Sequence, residues 1–169
     1  MTAFPAVLGI ALGLAACSPY GVGTTTTPPI PAFGPAEPEV ATVCVIRSSP
    51  WARAVTFVVH DNQQLVGATR GPSYFCYVAA PGAHQLVSDT FDSVDKVGRL
   101  DLTVAAGNRY WVYQDHANHF GSVASKLSTV DEGRARELLV GCSYMIVTEV
   151  PGHEHVPPGV PFAPAVAMR

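Results

Sequence analysis

The chain has 169 residues and a formal net charge of −3, with 48% hydrophobic and 14% charged residues. This length suits one globular domain with a single core. Nucleic-acid binding needs a basic face that neutralises phosphates, and the acidic balance gives no sign of one, so we expect no nucleic-acid partner.

The first predicted element is an uncharged apolar segment, residues 3–16, that ends in small residues directly before Cys17. It has the length of a secretory h-region and is too short to span a bilayer, which takes about 20 apolar residues. Residues 14–17, Leu-Ala-Ala-Cys, resemble the lipobox of bacterial lipoproteins, whose cysteine is diacylated. We therefore expect a signal peptide over residues 1–16 and a lipid anchor on Cys17.

Residues 1–5 depart from the usual signal because they contain no Lys or Arg and include Pro5. Two other interpretations stay open, an ordinary signal peptide cut nearby and an apolar segment of the fold. The lipoprotein interpretation predicts a bacterial cell-envelope protein with the membrane as partner. An Asp directly after the lipobox cysteine resembles an inner-membrane retention signal, and this chain has Ser18 at that position. We therefore expect residence in the outer membrane, facing the periplasm or the cell surface.

Two Pro-rich segments flank the predicted domain. Residues 17–38 are rich in Gly, Thr and Pro and carry no charge before Glu37, which predicts an extended tether that holds the domain off the bilayer. Residues 151–169 are also Pro-rich and predict a disordered or surface-draped tail. The folded domain is therefore expected over residues 39–150.

The pattern of this domain is mainly β. Short runs rich in β-branched and aromatic residues are separated by turn signals such as Pro81-Gly82 and Gly107-Asn108. The runs cover residues 40–47, 54–60, 64–68, 73–79, 84–90, 100–104, 109–114 and 142–150. Such spacing predicts an antiparallel β-sandwich of about seven to eight strands.

One short C-terminal helix interrupts the β pattern. Thr129 and Glu132 have the spacing of a capping box, Ala135 and Leu138 follow at helical spacing, and Gly141 is placed to end the helix.

Several short motifs resemble a family of small bacterial lipoproteins that carry a domain of unknown function, with the layout of the carboxypeptidase-regulatory-like sandwich. The motifs are residues 45–48 (VIRS), 59–62 (VHDN), 65–67 (LVG), 71–75 (GPSYF), 80–84 (APGAH) and 106–110 (AGNRY). The resemblance covers most of residues 40–141. It implies a β-sandwich and no established activity.

Export would place Cys44, Cys76 and Cys142 in an oxidising compartment, where disulfides persist. Because three is an odd number, we expect one disulfide and one remaining thiol, which stays free or pairs between chains. The sequence does not determine which two cysteines pair.

Asp115, His116 and His119, in a loop expected after the strand at residues 109–114, are the best metal-ligand candidates. A closed zinc site takes four ligands, so a further one would have to come from His60 or His84. The cluster at residues 153–155 in the tail is weaker. The sequence therefore predicts no metal site and no cofactor.

The sequence predicts no catalytic residue either. Ser73, Ser88 and Ser122 lack a Gly-x-Ser-x-Gly elbow, and Cys76 lies in an aromatic strand, as a core residue or disulfide partner does. Asp89, Asp92 and Asp95 are interpreted as a solvated turn.

Aromatic residues of the predicted strands suggest a binding surface. Because strand residues alternate between faces, some rings should point outward and offer a platform for a sugar or a peptide. The six are Tyr74, Phe75, Tyr77, Tyr110, Trp111 and Tyr113.

Together these patterns favour a lipid-anchored, non-catalytic structural or binding module of the cell envelope, with an envelope protein or a cell-wall glycan as candidate partner. One alternative is a carbohydrate- or peptidoglycan-binding module that uses exposed aromatic rings. The other is a metal-dependent hydrolase centred on His116 and His119.

Overall fold

The computed structural model describes residues 18–90, 97–119, 122–152 and 154–163, with the backbone alone for residues 117–119 and 122. The predicted signal peptide, Cys17, Asp92, Asp95 and His153 lie outside the described residues. The described part contains ten strands and one helix, α1 (Glu132–Leu138). The strands are β1 (Gly21–Thr25), β2 (Ala41–Arg47), β3 (Thr56–Asp61), β4 (Gln64–Arg70), β5 (Ser73–Ala79), β6 (Gly82–Asp89), β7 (Gly98–Val104), β8 (Arg109–His119), β9 (Ser122–Val130) and β10 (Ser143–Glu149).

Two sheets pack face to face. One has six strands in the order β1-β10-β5-β2-β8-β9, and the other has four in the order β4-β3-β6-β7. The predicted mainly-β sandwich with one short helix is confirmed. Two details differ: the described residues form ten strands, and β2 pairs with β8, and β10 with β5, in parallel. Parallel neighbours need long crossover connections, which strand patterns do not reveal.

Strand β2 is buried along its whole length. Val43 and Val45 belong to the main core between the sheets. Ile46 packs with Ala135 and Leu138 of α1 in a separate cluster. The helix therefore covers the outer face of the six-stranded sheet, and β2 is apolar on both faces, as a central strand should be.

A chain of buried polar side chains crosses between the two sheets. Thr69 donates a hydrogen bond to Gln114 Oε1, Gln114 Nε2 donates to Ser88 Oγ at 2.6 Å, and Ser125 Oγ donates to Ser88 Oγ at 2.7 Å. All four residues are buried. Their hydrogen bonds offset the cost of removing them from water and fix β4 and β6 opposite β8 and β9.

A disulfide joins Cys44 to Cys76 and leaves Cys142 as a free thiol. The two bonded cysteines stand directly opposite each other in the antiparallel β2–β5 pair. The prediction of one disulfide and one remaining thiol is confirmed. Only strand register selects the pair, because facing positions bring Cβ atoms within bonding range.

The segment predicted as an extended tether is corrected by the structure, because it packs on the sandwich. Strand β1 pairs with the edge of β10. Ala32 is buried, and its carbonyl accepts a hydrogen bond from Trp111 Nε1 at 3.2 Å. Arg109 donates to the carbonyls of Pro31 and Pro35. Hydrogen-bond donors on the sheet thus fix a segment whose composition alone suggests extended, solvated chain.

For the tail, which the sequence predicts to be disordered or surface-draped, residues 151, 152 and 154–163 agree with the second alternative because they lie against β10. The Val147 N–H donates to the Pro161 carbonyl at 3.1 Å, and the Ala163 N–H donates to the Val147 carbonyl at 3.0 Å. Strand β10 pairs with β5 only at Ser143 and Tyr144. The tail therefore satisfies backbone groups on β10 that β5 leaves open.

The predicted helix forms, but its N-cap is Asp131, whose side chain accepts a hydrogen bond from the Arg134 N–H at 2.8 Å. Thr129 is not the cap because it pairs with Val112 in the β9–β8 ladder. Gly141, at φ +79°, follows the helix end as expected. No helix within the described ranges is long and apolar enough to cross a membrane.

We predict that the disulfide is a major source of stability. Because it closes a separation of 32 residues, replacing Cys44 and Cys76 together by Ala should lower the free energy of unfolding by about 3–4 kcal/mol. Urea denaturation measures this change. Cys142→Ser, which leaves the bond intact, is the matched control. Alkylation of the unfolded, unreduced protein should label Cys142 alone within residues 18–169, and labelling of all three cysteines would contradict the assignment.

Candidate functional site

The metal-ligand candidates lie in a strand rather than in the expected loop. Strand β8 continues to His119, because its pairing with β9 extends through Asp115↔Lys126 to the end of the hairpin. Asp115 Oδ1 accepts a hydrogen bond from the His116 N–H at 2.8 Å and lies 3.4 Å from His116 Nδ1. The side chain of His119 is outside the described part. Among the described residues, no group of three or more His, Cys, Asp or Glu could hold a metal ion.

The two distant histidines have partners of their own. His60 Nε2 lies 3.2 Å from Glu154 Oε1, and His84 Nδ1 lies 2.7 Å from Asp61 Oδ2. The Tyr20 hydroxyl also donates to Glu154, at 2.7 Å to Oε2. His60 and Glu154 therefore help hold the first described residues against the four-stranded sheet.

A cavity of about 350 Å³ lies beside Asp61 and His84 and is partly closed by the tail residues Pro157 and Val160. The Tyr77 hydroxyl donates to Asp61 Oδ2 at 2.9 Å, and His84 Nε2 faces the Ala80 carbonyl at 2.8 Å. Asp61 Oδ1 is buried and has no hydrogen-bond partner among the described residues. Since Oδ1 is also shielded from solvent, a ligand in the cavity does not reach it. The Asp61–Tyr77–His84 cluster therefore connects β3, β5 and β6, and we interpret it as structural rather than as a ligand-binding site.

Burial of the Tyr77 hydroxyl next to Asp61 raises its pKa well above the ordinary value, first through desolvation and then through the nearby carboxylate. Tyr77 is therefore a hydrogen-bond donor here, and its proton stays in place at neutral pH.

The nucleophile candidates are buried. Ser73 and Ser88 have no exposed surface, and their hydroxyls are used in hydrogen bonds. Burial raises the pKa of the Cys142 thiol to about 11, and its Sγ donates to the Leu138 carbonyl at 3.2 Å. A protonated thiol is a weak nucleophile at neutral pH. The side chain of Ser122 is outside the described part.

The six aromatic residues suggested as a platform differ in their exposure. Phe75 and Tyr77 are buried in the core, and Tyr74, Tyr110, Trp111 and Tyr113 are half-buried. The large aromatic side chain that is most exposed in the described residues is Trp51, at 68%. Trp51 lies in the loop between β2 and β3, outside the predicted strands that contain the other rings.

The β2–β3 loop, residues 48–55, is shaped by Arg47 at the end of β2. The Arg47 side chain is buried, and its guanidinium donates to the carbonyls of Trp51 at 2.9 Å, Ala52 at 2.7 Å and Val55 at 2.8 Å. It also lies 4.6 Å from the centroid of the Phe57 ring. Three charge-assisted hydrogen bonds hold a loop in which Ala52 has a positive φ of 49°.

Among the described residues, no carboxylate accepts a hydrogen bond from the Arg47 guanidinium. Burial lowers its pKa to about 10, so it stays charged at neutral pH. A buried cation must be compensated by hydrogen bonds. The loop carbonyls accept them from the two terminal nitrogens, whereas Nε has no partner among the described residues. The hydrogen bonds from the Arg47 guanidinium therefore fix the conformation of the loop.

The same loop presents Trp51 against β8. The Trp51 ring stacks on His116, with 6.4 Å between ring centroids and 21° between ring planes. Asp115 is beside His116, and its carboxyl is 45% exposed. Two of the three metal-ligand candidates, Asp115 and His116, thus lie beside Trp51. Together the three side chains form an aromatic and polar surface.

A cleft of about 430 Å³ opens next to this loop. Arg53 of the loop and Arg70 at the end of β4 both line it, together with Thr24 and Ser143, and no acidic residue in the described part of the chain does. A Cβ on Gly71 would lie 3.5 Å from the Arg53 Cβ, so the β4–β5 turn touches the loop. We call this feature the arginine cleft.

The strand registers put these features at one end of the sandwich. Thr25 pairs with Tyr144 near the start of β10, and Ser143 pairs with Ser73 at the start of β5. Arg47 pairs with Ser73, so the β2–β3 loop leaves from that same end. We call it the loop end. Gly21 pairs with Glu149 at the other end of β10, which we call the anchor end.

We predict that Arg47 holds the loop. Arg47→Met removes the donors of three loop carbonyls and should lower the free energy of unfolding by about 2–4 kcal/mol, as measured by urea denaturation. Arg53→Met, at an exposed position of the same loop, should change it by no more than about 0.5 kcal/mol. Equal effects of the two substitutions would show that the buried guanidinium has no special role.

No protein-family model matches this chain, and no curated protein matches it either. What the chain binds therefore has to follow from the chemistry of its own side chains.

Proposed function

We propose that this protein is a bacterial cell-envelope lipoprotein, anchored by lipid on Cys17, whose sandwich is a non-catalytic binding module. One observation carries the proposal: the residues after Cys17 are fixed at the anchor end, while the exposed loop is at the loop end. Strand β10 connects the two ends over seven residues, a length of about 20 Å.

Three contacts support the position of the anchored segment. Strand β1 pairs with β10, the Tyr20 hydroxyl donates to Glu154, and Tyr20 packs with the core cluster around Val58. A lipid on Cys17 would thus be joined to the sandwich through a short, fixed segment. The membrane is the partner of the anchor end, and the loop end points away from the bilayer, toward an envelope protein or a cell-wall glycan.

Outer-membrane residence is part of the proposal. Its support is Ser18, which follows the cysteine where Asp would favour retention in the inner membrane. Density-gradient separation of the two membranes tests this assignment.

Trp51 favours a glycan as the partner of the loop end. Its ring is exposed yet held by the Arg47 hydrogen bonds and the His116 stack, so little conformational entropy is lost when a flat apolar surface binds. The apolar face of a sugar ring is such a surface, and the Asp115 carboxylate beside it accepts hydrogen bonds from hydroxyl groups. Carbohydrate or peptidoglycan binding through Trp51 is therefore the second function that we propose.

The anchor is tested by Cys17→Ser. The parent should sediment with the membrane fraction, and the variant should appear in the soluble fraction because it cannot be acylated. Cys142→Ser, which removes a different single thiol, should sediment like the parent. A Cys17→Ser protein that remains as membrane-bound as the parent would contradict the anchor.

Glycan binding is tested by Trp51→Ala in a co-sedimentation assay with purified peptidoglycan. Loss of a central aromatic contact should weaken retention about tenfold or more. Phe162→Ala removes another exposed ring, 37% exposed and away from the loop, and should bind like the parent. If both variants lose binding equally, or neither does, Trp51 is not the contact.

A further inference from the structure

We propose that the arginine cleft is a binding site for a phosphate ester whose body is about the size of a sugar ring. This inference rests on the proposed binding function and adds the chemical class of a ligand at the loop end.

The charge of the cleft is the first argument. Arg53 and Arg70 line it and make no salt bridge among the described residues, whereas Arg134 and Arg136 both pair with glutamates on α1. The chain as a whole is acidic, with a net charge of −3. Two like charges kept in one cleft without an acid are repulsive, and a bound anion relieves that repulsion.

The second argument is that the two arginines are held in place by the fold. Arg53 belongs to the loop that Arg47 fixes, and its backbone carbonyl would lie 3.5 Å from a Cβ on Gly71. Arg70 pairs with Thr56 in the β3–β4 ladder. The backbone positions of both are thus set before any ligand arrives, which lowers the entropic cost of binding.

The donor set selects phosphate. A guanidinium presents its N–H groups as a planar fork that matches the oxygens of a carboxylate or a phosphate. One carboxylate is satisfied by a single fork, whereas a phosphate monoester has three terminal oxygens and up to two negative charges. The Thr24 and Ser143 hydroxyls line the same cleft and supply further donors.

The size of the cleft argues for more than an inorganic ion. Its volume of about 430 Å³ falls in the range of sites that hold small organic molecules. Val22, Pro72 and Met145 line it beside the polar groups, so the ester's body has apolar surface to contact.

The position of the cleft selects the source of the phosphate. Arg53 is in the β2–β3 loop and Arg70 ends β4, both at the loop end, and Ser143 begins β10 about 20 Å from Glu149 at the anchor end. The two arginines are thus at the end of the sandwich opposite the proposed anchor, which favours a phosphate that is free or carried by a glycan over the headgroups of the membrane that holds that anchor. A phosphorylated sugar, free or at the end of an envelope glycan, is the ligand that fits.

The test is a titration of the purified full-length protein, in a detergent without phosphorus, followed by calorimetry or by the NMR signals of the ligand phosphorus. The probes are glucose 6-phosphate, inorganic phosphate, glucose and glucuronate. We expect saturable binding of glucose 6-phosphate, weaker binding of inorganic phosphate, and no binding of glucose.

Variants assign the binding to the cleft. Arg53→Gln and Arg70→Gln should each weaken glucose 6-phosphate binding about tenfold or more, because each removes charge-assisted hydrogen bonds. Arg53→Lys keeps the charge but loses the fork and should lie between the parent and Arg53→Gln. Arg99→Gln removes an exposed arginine of β7 and should leave binding unchanged.

Three results would overturn the inference. Glucuronate that binds as tightly as the phosphate ester would assign the cleft to carboxylates. An equal loss in Arg99→Gln would reduce the effect to net charge. No saturable phosphate binding by a parent protein with an intact Cys44–Cys76 disulfide would remove the site. None of these three results would contradict the lipid anchor or the Trp51 contact, because Cys17→Ser fractionation and peptidoglycan co-sedimentation test those two proposals separately.

Discussion

The buried guanidinium of Arg47 is the constraint on which the exposed end of the molecule depends. It ends the central strand β2 with a charge that is almost completely shielded from water, and it has no carboxylate partner among the described residues. Among the described residues, its compensation comes from the carbonyls of the loop that follows and from the Phe57 ring, so the loop folds around the guanidinium. A loop fixed in this way can present Trp51 and Arg53 in defined positions, which an unsupported surface loop of the same composition would not do.

The two ends of the sandwich have different characters. At the anchor end, polar side chains pair with each other within the protein, as in the Asp61–His84 and His60–Glu154 contacts. At the loop end, cationic and aromatic side chains remain exposed and have no protein partner of opposite charge among the described residues. A surface that presents such groups from a fixed backbone is suited to an external ligand. Because of this asymmetry and the direction of β1, the proposed anchor and the proposed binding surface are at opposite ends of the sandwich.

The terminal segments complete the six-stranded sheet. Strand β1 covers one edge of β10, and tail residues near Phe162 bond to Val147 on its other side. Both segments are rich in residues that rarely lie in strands, and both gain their order from backbone groups that β10 leaves open. Because β1 has a fixed position, the segment between the proposed anchor and the sandwich is short and has a defined direction.

The sequence by itself determined the mainly-β sandwich, the single helix and the number of disulfides, because period-two alternation, turn residues and cysteine parity are local properties. Only the tertiary structure decided which cysteines pair, since facing positions in β2 and β5 follow from register. The predicted tether and loop histidines were misplaced because a strand that forms by pairing with a distant edge has no local signature. Trp51, Arg53 and Arg70 were missed for a related reason. They are ordinary residues in sequence, and become a candidate site only when a buried arginine, a turn glycine and two strand ends bring them to one face.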